Sequence, residues 1–210
     1  MRMKKNLIAI MLFIFPLVIK AQWKVGVGVS PSLNNYDYPQ QFWIYDSFSW
    51  GMSAGIFGHY DINDYFGVRA EINWTQKNHF QYWSVYSSDT GYKTVNNYIQ
   101  LPIIATGCLH WGNLKPFINL GVYGAYWISS HEKSEMGLKD LTDINDYYNR
   151  FEFGLLGGIG LEYPISKHLA LQIEGRCYYG ATSSKKEING ISNTRYNTTF
   201  VLQPSICYLF

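Results

Sequence analysis

Alternation of apolar and polar residues with a period of two, repeated from end to end, constrains this chain more than any other feature. It begins with Trp23, Val25, Val27 and Val29 set between Lys24, Gly26, Gly28 and Ser30. It resumes with Trp50, Met52, Ala54, Ile56, Gly58 and Tyr60, and then with Phe66, Val68, Ala70, Ile72 and Trp74 against Arg69, Glu71, Asn73 and Thr75. A fourth segment has Ile99, Leu101, Ile103 and Ala105 on one face, and a fifth Ile118, Leu120, Val122, Tyr126 and Ile128. The sixth sets Phe153, Leu155, Ile159, Leu161 and Tyr163 against Glu152, Gly154, Gly158, Gly160 and Glu162. The seventh opposes Leu169, Leu171, Ile173 and Tyr179 to Gln172, Glu174 and Arg176. The eighth opposes Phe200, Leu202, Ile206, Tyr208 and Phe210 to Thr199, Val201, Gln203, Ser205 and Cys207. Successive side chains of a strand point to opposite faces, whereas an amphipathic helix needs apolar residues at i, i+3, i+4 and i+7. The chain therefore reads as strands, each with one apolar and one polar face.

The connections between these segments alternate in length. Short turns fall at Asp61-Ile62-Asn63-Asp64, Trp111-Gly112-Asn113 and Ile165-Ser166-Lys167. Long polar segments run from Leu33 to Ser47, Lys77 to Asn96, Ser130 to Arg150 and Thr182 to Arg195. Short turns at one end and long loops at the other predict an all-β fold, an eight-stranded antiparallel up-and-down transmembrane barrel of the outer-membrane type. An even strand number puts both termini at the short-turn end. Segments of about 9–11 alternating residues also suit an oblique crossing of a bilayer.

The first residues fit that destination. Arg2, Lys4 and Lys5 precede an apolar run from Leu7 to Ile19, and Ala21 stands before Gln22. The run carries Pro16 and is shorter than the roughly 20 residues a spanning helix needs, so residues 1–21 read as a cleaved signal peptide and 22–210 as one barrel domain. The formal charge of +2 includes Arg2, Lys4, Lys5 and Lys20. Without them the remainder is mildly acidic, and no nucleic-acid partner is implied. Cys108, Cys177 and Cys207 are too few and too scattered for a disulfide framework or a metal cluster.

The stretch "FEFGLLGGIGLEY", Phe151 to Tyr163, raises a competing idea, a glycine-rich phosphate cradle. Such a loop must open a helix, and Leu161-Glu162-Tyr163-Pro164 cannot. In a narrow barrel, Gly154, Gly158 and Gly160 fall in the inward phase and make room for neighbouring side chains. Gly157 falls in the outward phase, with no role beyond curvature.

Three stretches, "YIQLPIIA" (Tyr98 to Ala105), "KPFINLGVYGAY" (Lys115 to Tyr126) and "FEFGLLGGIGLEY" itself, resemble the PorT-like outer-membrane β-barrel family of Bacteroidota. The likeness extends over essentially all of the chain after residue 21. It implies an eight-stranded outer-membrane barrel and no single molecular activity. The C-terminal Gln203, Ser205, Tyr208 and Phe210 resemble the signal that barrel-assembly machinery reads on a last strand, with Ser205 where glycine is usual. Pro102 and Pro204 each remove a ladder donor, and a bulge is expected at each.

Alternation alone also fits a soluble lipocalin-like barrel, apolar inside. Against it, the apolar phase carries aromatic residues near strand ends, as interfacial girdles do, and the chain is 18% aromatic with eighteen Tyr and seven Trp. If the polar phase is the lumen, Lys24, Arg69, Lys115 and Arg176 share it with Glu71, Glu152, Glu162 and Glu174. Buried charges persist when paired, so these eight are expected to form a salt-bridged plug, unless several lie solvated at the rim.

Catalysis finds no ordered constellation. Ser129, Ser130 and His131, and His79 with Ser84, Ser87, Ser88 and Asp89, are polar loop material. His59, His110 and His168 lack metal-ligand spacing. No enzyme activity, cofactor or metal is expected. The expected partners are outer-membrane lipid, the barrel-assembly machinery during insertion, and a protein or glycan at the extracellular loops. Aromatic stretches at Tyr36 to Asp46 and His79 to Tyr86 are the candidate contact points. A small diffusion channel and a periplasmic ligand-binding barrel are the competing functions.

Overall fold

A computed structural model describes residues 22–37, 44–85, 88–134, 137–140, 149–183 and 196–210. The expected signal peptide, residues 1–21, lies outside them. The strands are β1 (Gln22–Asp37), β2 (Ile44–Ser47), β3 (Ser49–Asp61), β4 (Phe66–Gln76), β5 (His79–Val85), β6 (Ser88–Cys108), β7 (Lys115–Ser134), β8 (Gly137–Asp140), β9 (Phe151–Pro164), β10 (Leu169–Gly180) and β11 (Tyr196–Leu209). Eight of them close in chain order, β1-β3-β4-β6-β7-β9-β10-β11, with β11 pairing back onto β1 and every pairing antiparallel. The sequence-derived strands are these eight.

Closure leaves the barrel wall no edge, which matters because an unsatisfied backbone group in hydrocarbon costs several kcal/mol. The two prolines show how the ladder copes. Pro102 keeps its place opposite Tyr123 of β7, while the β4–β6 ladder lapses between Ala70↔Ile103 and Asn73↔Gln100 without a change of offset. Pro204 stays opposite Ile173 of β10, and the β1–β11 ladder lapses between Gly28↔Ser205 and Ser32↔Val201, again in constant register. The expected bulges are therefore absent. A strand residue addresses its N–H to one neighbour only, so a proline costs pairing on one side and leaves the other intact. The bulge that does occur is elsewhere. Asn97 faces Ser129 while Tyr98 faces Trp127, so Ile128 is an extra residue in β7.

Short turns are built from local chemistry. Asn63 Oδ1 accepts from the backbone N–H of Tyr65 and of Phe66, both at 2.9 Å. Ser166 Oγ does the same for His168 and Leu169, at 3.3 and 3.1 Å. The β6–β7 turn closes on a Trp111–Leu114 bridge, with Gly112 at φ 60°, a conformation glycine adopts without a Cβ penalty. The long segments, expected as loops, are partly strand. β6 continues past the barrel to Ser88 and pairs with β5, β2 pairs with β5, and β8 pairs with the end of β7.

The apolar phase is outside. Val27, Ile103 and Ile159 are 51%, 60% and 70% exposed, while Lys24, Arg69, Glu71, Glu174 and Arg176 are buried within. This reverses the lipocalin-like arrangement, in which the interior is apolar. Exposed or half-buried aromatic residues ring both ends. At the short turns stand Trp23, Tyr60, Phe66, Tyr163, Tyr208 and Phe210, with the Trp23 and Tyr60 rings 5.0 Å apart. Toward the long segments stand Trp50, Trp74, Tyr126, Phe151 and Tyr179, with Tyr126 and Phe151 4.9 Å apart. From Phe66 to Trp74 a strand rising ~3.4 Å per residue at a tilt of ~40° climbs about 20 Å, close to the height of a membrane-barrel band.

Candidate functional site: the filled lumen

Three layers of side chains occupy the interior. At the short-turn mouth, Lys24 Nζ of β1 donates to Glu162 Oε1 and Oε2 of β9 at 3.0 and 3.1 Å and lies 3.2 Å from Asp61 Oδ2. His59 Nε2 is 3.0 Å from Asp61 Oδ1, and Gln172 Nε2 donates to Glu162 Oε2 at 2.6 Å. Lys115, less buried than the others, lies 3.5 Å from Asp61 Oδ1.

The middle layer spans the barrel. β4 and β10 are diametrically opposed, with three strands between them on either side. Arg176 of β10 donates through Nη1 and Nη2 to Glu71 Oε2 and Oε1 of β4, at 2.7 and 3.0 Å, a two-pronged bridge across the lumen. Its Nε and Nη2 also donate to Glu174 Oε1 and Oε2, at 2.8 and 2.7 Å, and Nη1 donates to the Tyr178 hydroxyl at 2.7 Å. All five guanidinium N–H groups are thus used, the geometry for which arginine surpasses lysine. Arg69 completes the square, with Nε 2.8 Å from Glu71 Oε1, Nη1 3.4 Å from Glu174 Oε2, and its guanidinium 3.6 Å from the centre of the Phe57 ring. Asn73 donates to Glu71 and Asn119 to Glu174, both at 2.8 Å.

Glycines of β9 make the space. A Cβ on Gly158 would lie 2.6 Å from Glu174 Oε1, and one on Gly160 would run into the Phe117 ring.

The upper layer is aromatic. Tyr98 and Trp127 stack with centroids 5.6 Å apart, and Tyr123 meets Tyr178 edge-on at 5.2 Å. Lys77 is wholly buried, paired with Glu152 and 5.1 Å from the centres of both the Tyr98 and Tyr123 rings. The Tyr123 hydroxyl donates to Glu152 Oε1 at 2.5 Å.

All eight charges placed in the inward phase by the sequence thus lie in the lumen, seven buried and Lys115 half-buried. Sequence reasoning misses two of their partners. Asp61 sits at a strand end that reads as part of a turn, and Lys77 opens a segment that reads as a loop. It also misses the inward Phe57, Tyr98, Phe117, Tyr123, Trp127 and Tyr178. Glycine and polar neighbours in the same phase are the available signal.

Of the catalytic candidates, Ser130 Oγ donates to Asn96 Oδ1 at 2.6 Å, and His79 packs edge-on against Tyr36 at 5.2 Å. The side chains of Ser84, Ser87, Ser88 and Asp89 lie outside what is described, as do those of most of Tyr36 to Asp46. Among the described residues no cluster of metal-ligating side chains occurs, and the three cysteines are free thiols. Gln203 and Ser205 face the lumen, whereas Tyr208 and Phe210 face outward. The Tyr208 ring stacks on His168 at 5.6 Å, and the Phe210 N–H donates to the Trp23 carbonyl at 3.0 Å.

A major outer membrane protein from Thermus thermophilus shares this fold, with 11% identity, a TM-score of 0.52, and coverage of 91% of this chain and 100% of that one. OprG from Pseudomonas aeruginosa is 14% identical over 90% of this chain and 95% of its own, with a TM-score of 0.49. Neisserial surface protein A is likewise 14% identical, over 89% and 97%, with a TM-score of 0.49. No curated protein matches the sequence. The family model described as outer membrane protein beta-barrel domain matches residues 16–186, so a barrel that is apolar outside and ion-paired within belongs to the outer membrane protein beta-barrel domain family.

Proposed function

We propose that this outer-membrane barrel is a closed, non-catalytic scaffold that meets its partners through its long extracellular segments. The observation that carries the reading is the Arg176–Glu71 bridge between opposed strands, which occupies the middle of the lumen. Ions could pass only by breaking a buried, hydrogen-bonded charge pair, and leaving one partner uncompensated costs about 3–5 kcal/mol. The eight lumen charges form a plug in this reading. The chain is exported by a signal peptide cleaved after Ala21. Gln203, Ser205, Tyr208 and Phe210 serve as the signal for the barrel-assembly machinery. The likeness to the PorT-like family of Bacteroidota supports the placement without supplying an activity. A protein or glycan would meet the aromatic extracellular stretches.

Topology is the part to test on cells. A cysteine placed at Ser88 should react with an impermeant maleimide on intact cells, and one placed at Asn113 only after lysis. Equal labelling of both on intact cells would place the long segments elsewhere and remove the basis for an extracellular partner.

A further inference from the structure

The lipid-facing wall has a hollow that the filled lumen does not explain. Gly157 and Gly175 stand in the outward phase, where their neighbours along the strands are Leu155, Ile159, Ile173 and Cys177. Neither glycine is needed for its backbone, since neither has positive φ. A Cβ on Gly175 would meet nothing within 4 Å, and one on Gly157 only ordinary contacts, Leu120 Cδ2 at 3.6 Å and the Asn119 carbonyl at 3.9 Å. What the two glycines change is the relief of the outer surface.

Register shows the shape of that relief. Trp50 pairs with Leu33, Leu33 with Phe200, Phe200 with Cys177, Cys177 with Gly157, and Gly157 with Leu120, so these six form one row across the strands. The next row runs Leu202, Gly175, Ile159, Ile118. Between the rows lies an apolar groove of about 690 Å³, floored by Gly157, Gly175 and Cys177 and walled by the larger side chains. It is oblique to the bilayer because the strands tilt. Its Trp50 end lies at the aromatic ring toward the long segments, which is the outer-leaflet end under the topology proposed above, and its Leu120 end lies well down β7 toward the short turns. Five strand spacings of ~4.8 Å at a tilt of ~40° descend about 15 Å, half of a hydrocarbon core ~30 Å thick and so the span of one leaflet's chain.

We propose that this groove holds one acyl chain of an outer-leaflet lipid as a fixed constituent of the barrel surface. The groove is continuous with the bilayer-facing band, so hydrocarbon is what meets it. An empty apolar hollow forfeits dispersion contacts, and water would find no polar partners there. A flexible single chain can follow a narrow groove. A second barrel cannot, because Trp50, Phe200 and Ile159 stand above the floor and hold a rigid convex surface off.

Native mass spectrometry from nanodiscs of dipalmitoyl phosphatidylethanolamine tests this, with heat-modifiable migration as the check that each variant is folded. The wild type and Gly58→Leu should release with one bound lipid. Gly58 faces outward with nothing within 4 Å of a Cβ and lies outside the groove, so it is the control. Gly175→Leu and Gly157→Leu should lower retention about tenfold. No retained lipid on the wild type, or equal retention by all four proteins, would overturn the proposal. So would a dimer ion lost only on Gly175→Leu, which would make a second copy the occupant. Failure of the wild type to show heat-modifiable migration would count against the barrel itself rather than against the groove.

Discussion

The middle and upper layers of the lumen fill the same bore by different physics. In the middle, Arg69, Glu71, Glu174 and Arg176 carry two charges of each sign, and two of their four ion pairs, Arg176–Glu71 and Arg69–Glu174, depend on opposite walls staying in register. In the upper layer, Tyr98, Tyr123, Trp127 and Tyr178 fill space as rings, and one ion pair, Lys77–Glu152, is set among them. A charged layer is high-stakes, because removing one member leaves a net charge buried in the lumen. An aromatic layer is graded, because each ring gives up contacts roughly in proportion to what is deleted. Each of the two layers brings together side chains from several strands, but only the middle one crosses the full diameter with a two-pronged bond.

The largest expected effect is therefore in the middle. Arg176→Ala leaves Glu71 and Glu174 to share Arg69 alone, one buried negative charge in excess, and should lower unfolding free energy in detergent by about 3–5 kcal/mol, read from urea titration of heat-modifiable migration. Replacing the layer wholesale sharpens the point. Apolar residues of matching volume at all four positions should cost far less than Arg176→Ala, since a buried ion network can be exchanged for packing at little net cost. If the wholesale variant is the less stable of the two, charge pairing itself holds the layer.

The upper layer should respond more mildly. Glu152→Gln removes the counter-charge of Lys77 but keeps an amide oxygen to accept from its ammonium and from the Tyr123 hydroxyl, and the Tyr98 and Tyr123 ring faces remain beside the ammonium, for a loss of about 1–3 kcal/mol. Trp127→Phe keeps a ring against Tyr98 and loses the Nε1 donation to the Ser129 carbonyl at 3.0 Å, for about 0.5–1.5 kcal/mol beyond the lost ring area. Lys167→Ala, in an exposed short turn, should fall within about 0.5 kcal/mol of wild type by the same titration. Were Glu152→Gln to exceed Arg176→Ala, the contrast between the layers would be reversed.

How much of this is legible in the sequence follows from the period of the strand. Alternation fixes which residues share a face, so the inward placement of Arg69 with Glu71 and of Glu174 with Arg176 can be read from the sequence alone. The alternating turn lengths identify which end of the barrel is which. What alternation cannot supply is pairing across the bore, which depends on how eight strands shear as they close. The Arg176–Glu71 bridge is of that kind. Aromatic residues in the inward phase, such as Tyr123 and Tyr178, escape notice when the apolar phase is assigned outside, although a narrow upper lumen needs large rings to fill it. Lys77 is invisible for another reason: it lies in the break between β4 and β5, and the alternation stops at Gln76. The inserted Ile128 is likewise silent in sequence, since a bulge changes phase without changing composition.

Conductance tests the central claim, a lumen sealed at its middle by paired charges, most directly. In planar bilayers at low salt, where screening is least, the wild-type barrel should show no steady conductance, whereas Glu71→Ala combined with Arg176→Ala should open small, persistent steps. Steady porin-like conductance from the wild type, unchanged in the double variant, would mean that the bridge does not close the bore and that the protein is a diffusion channel.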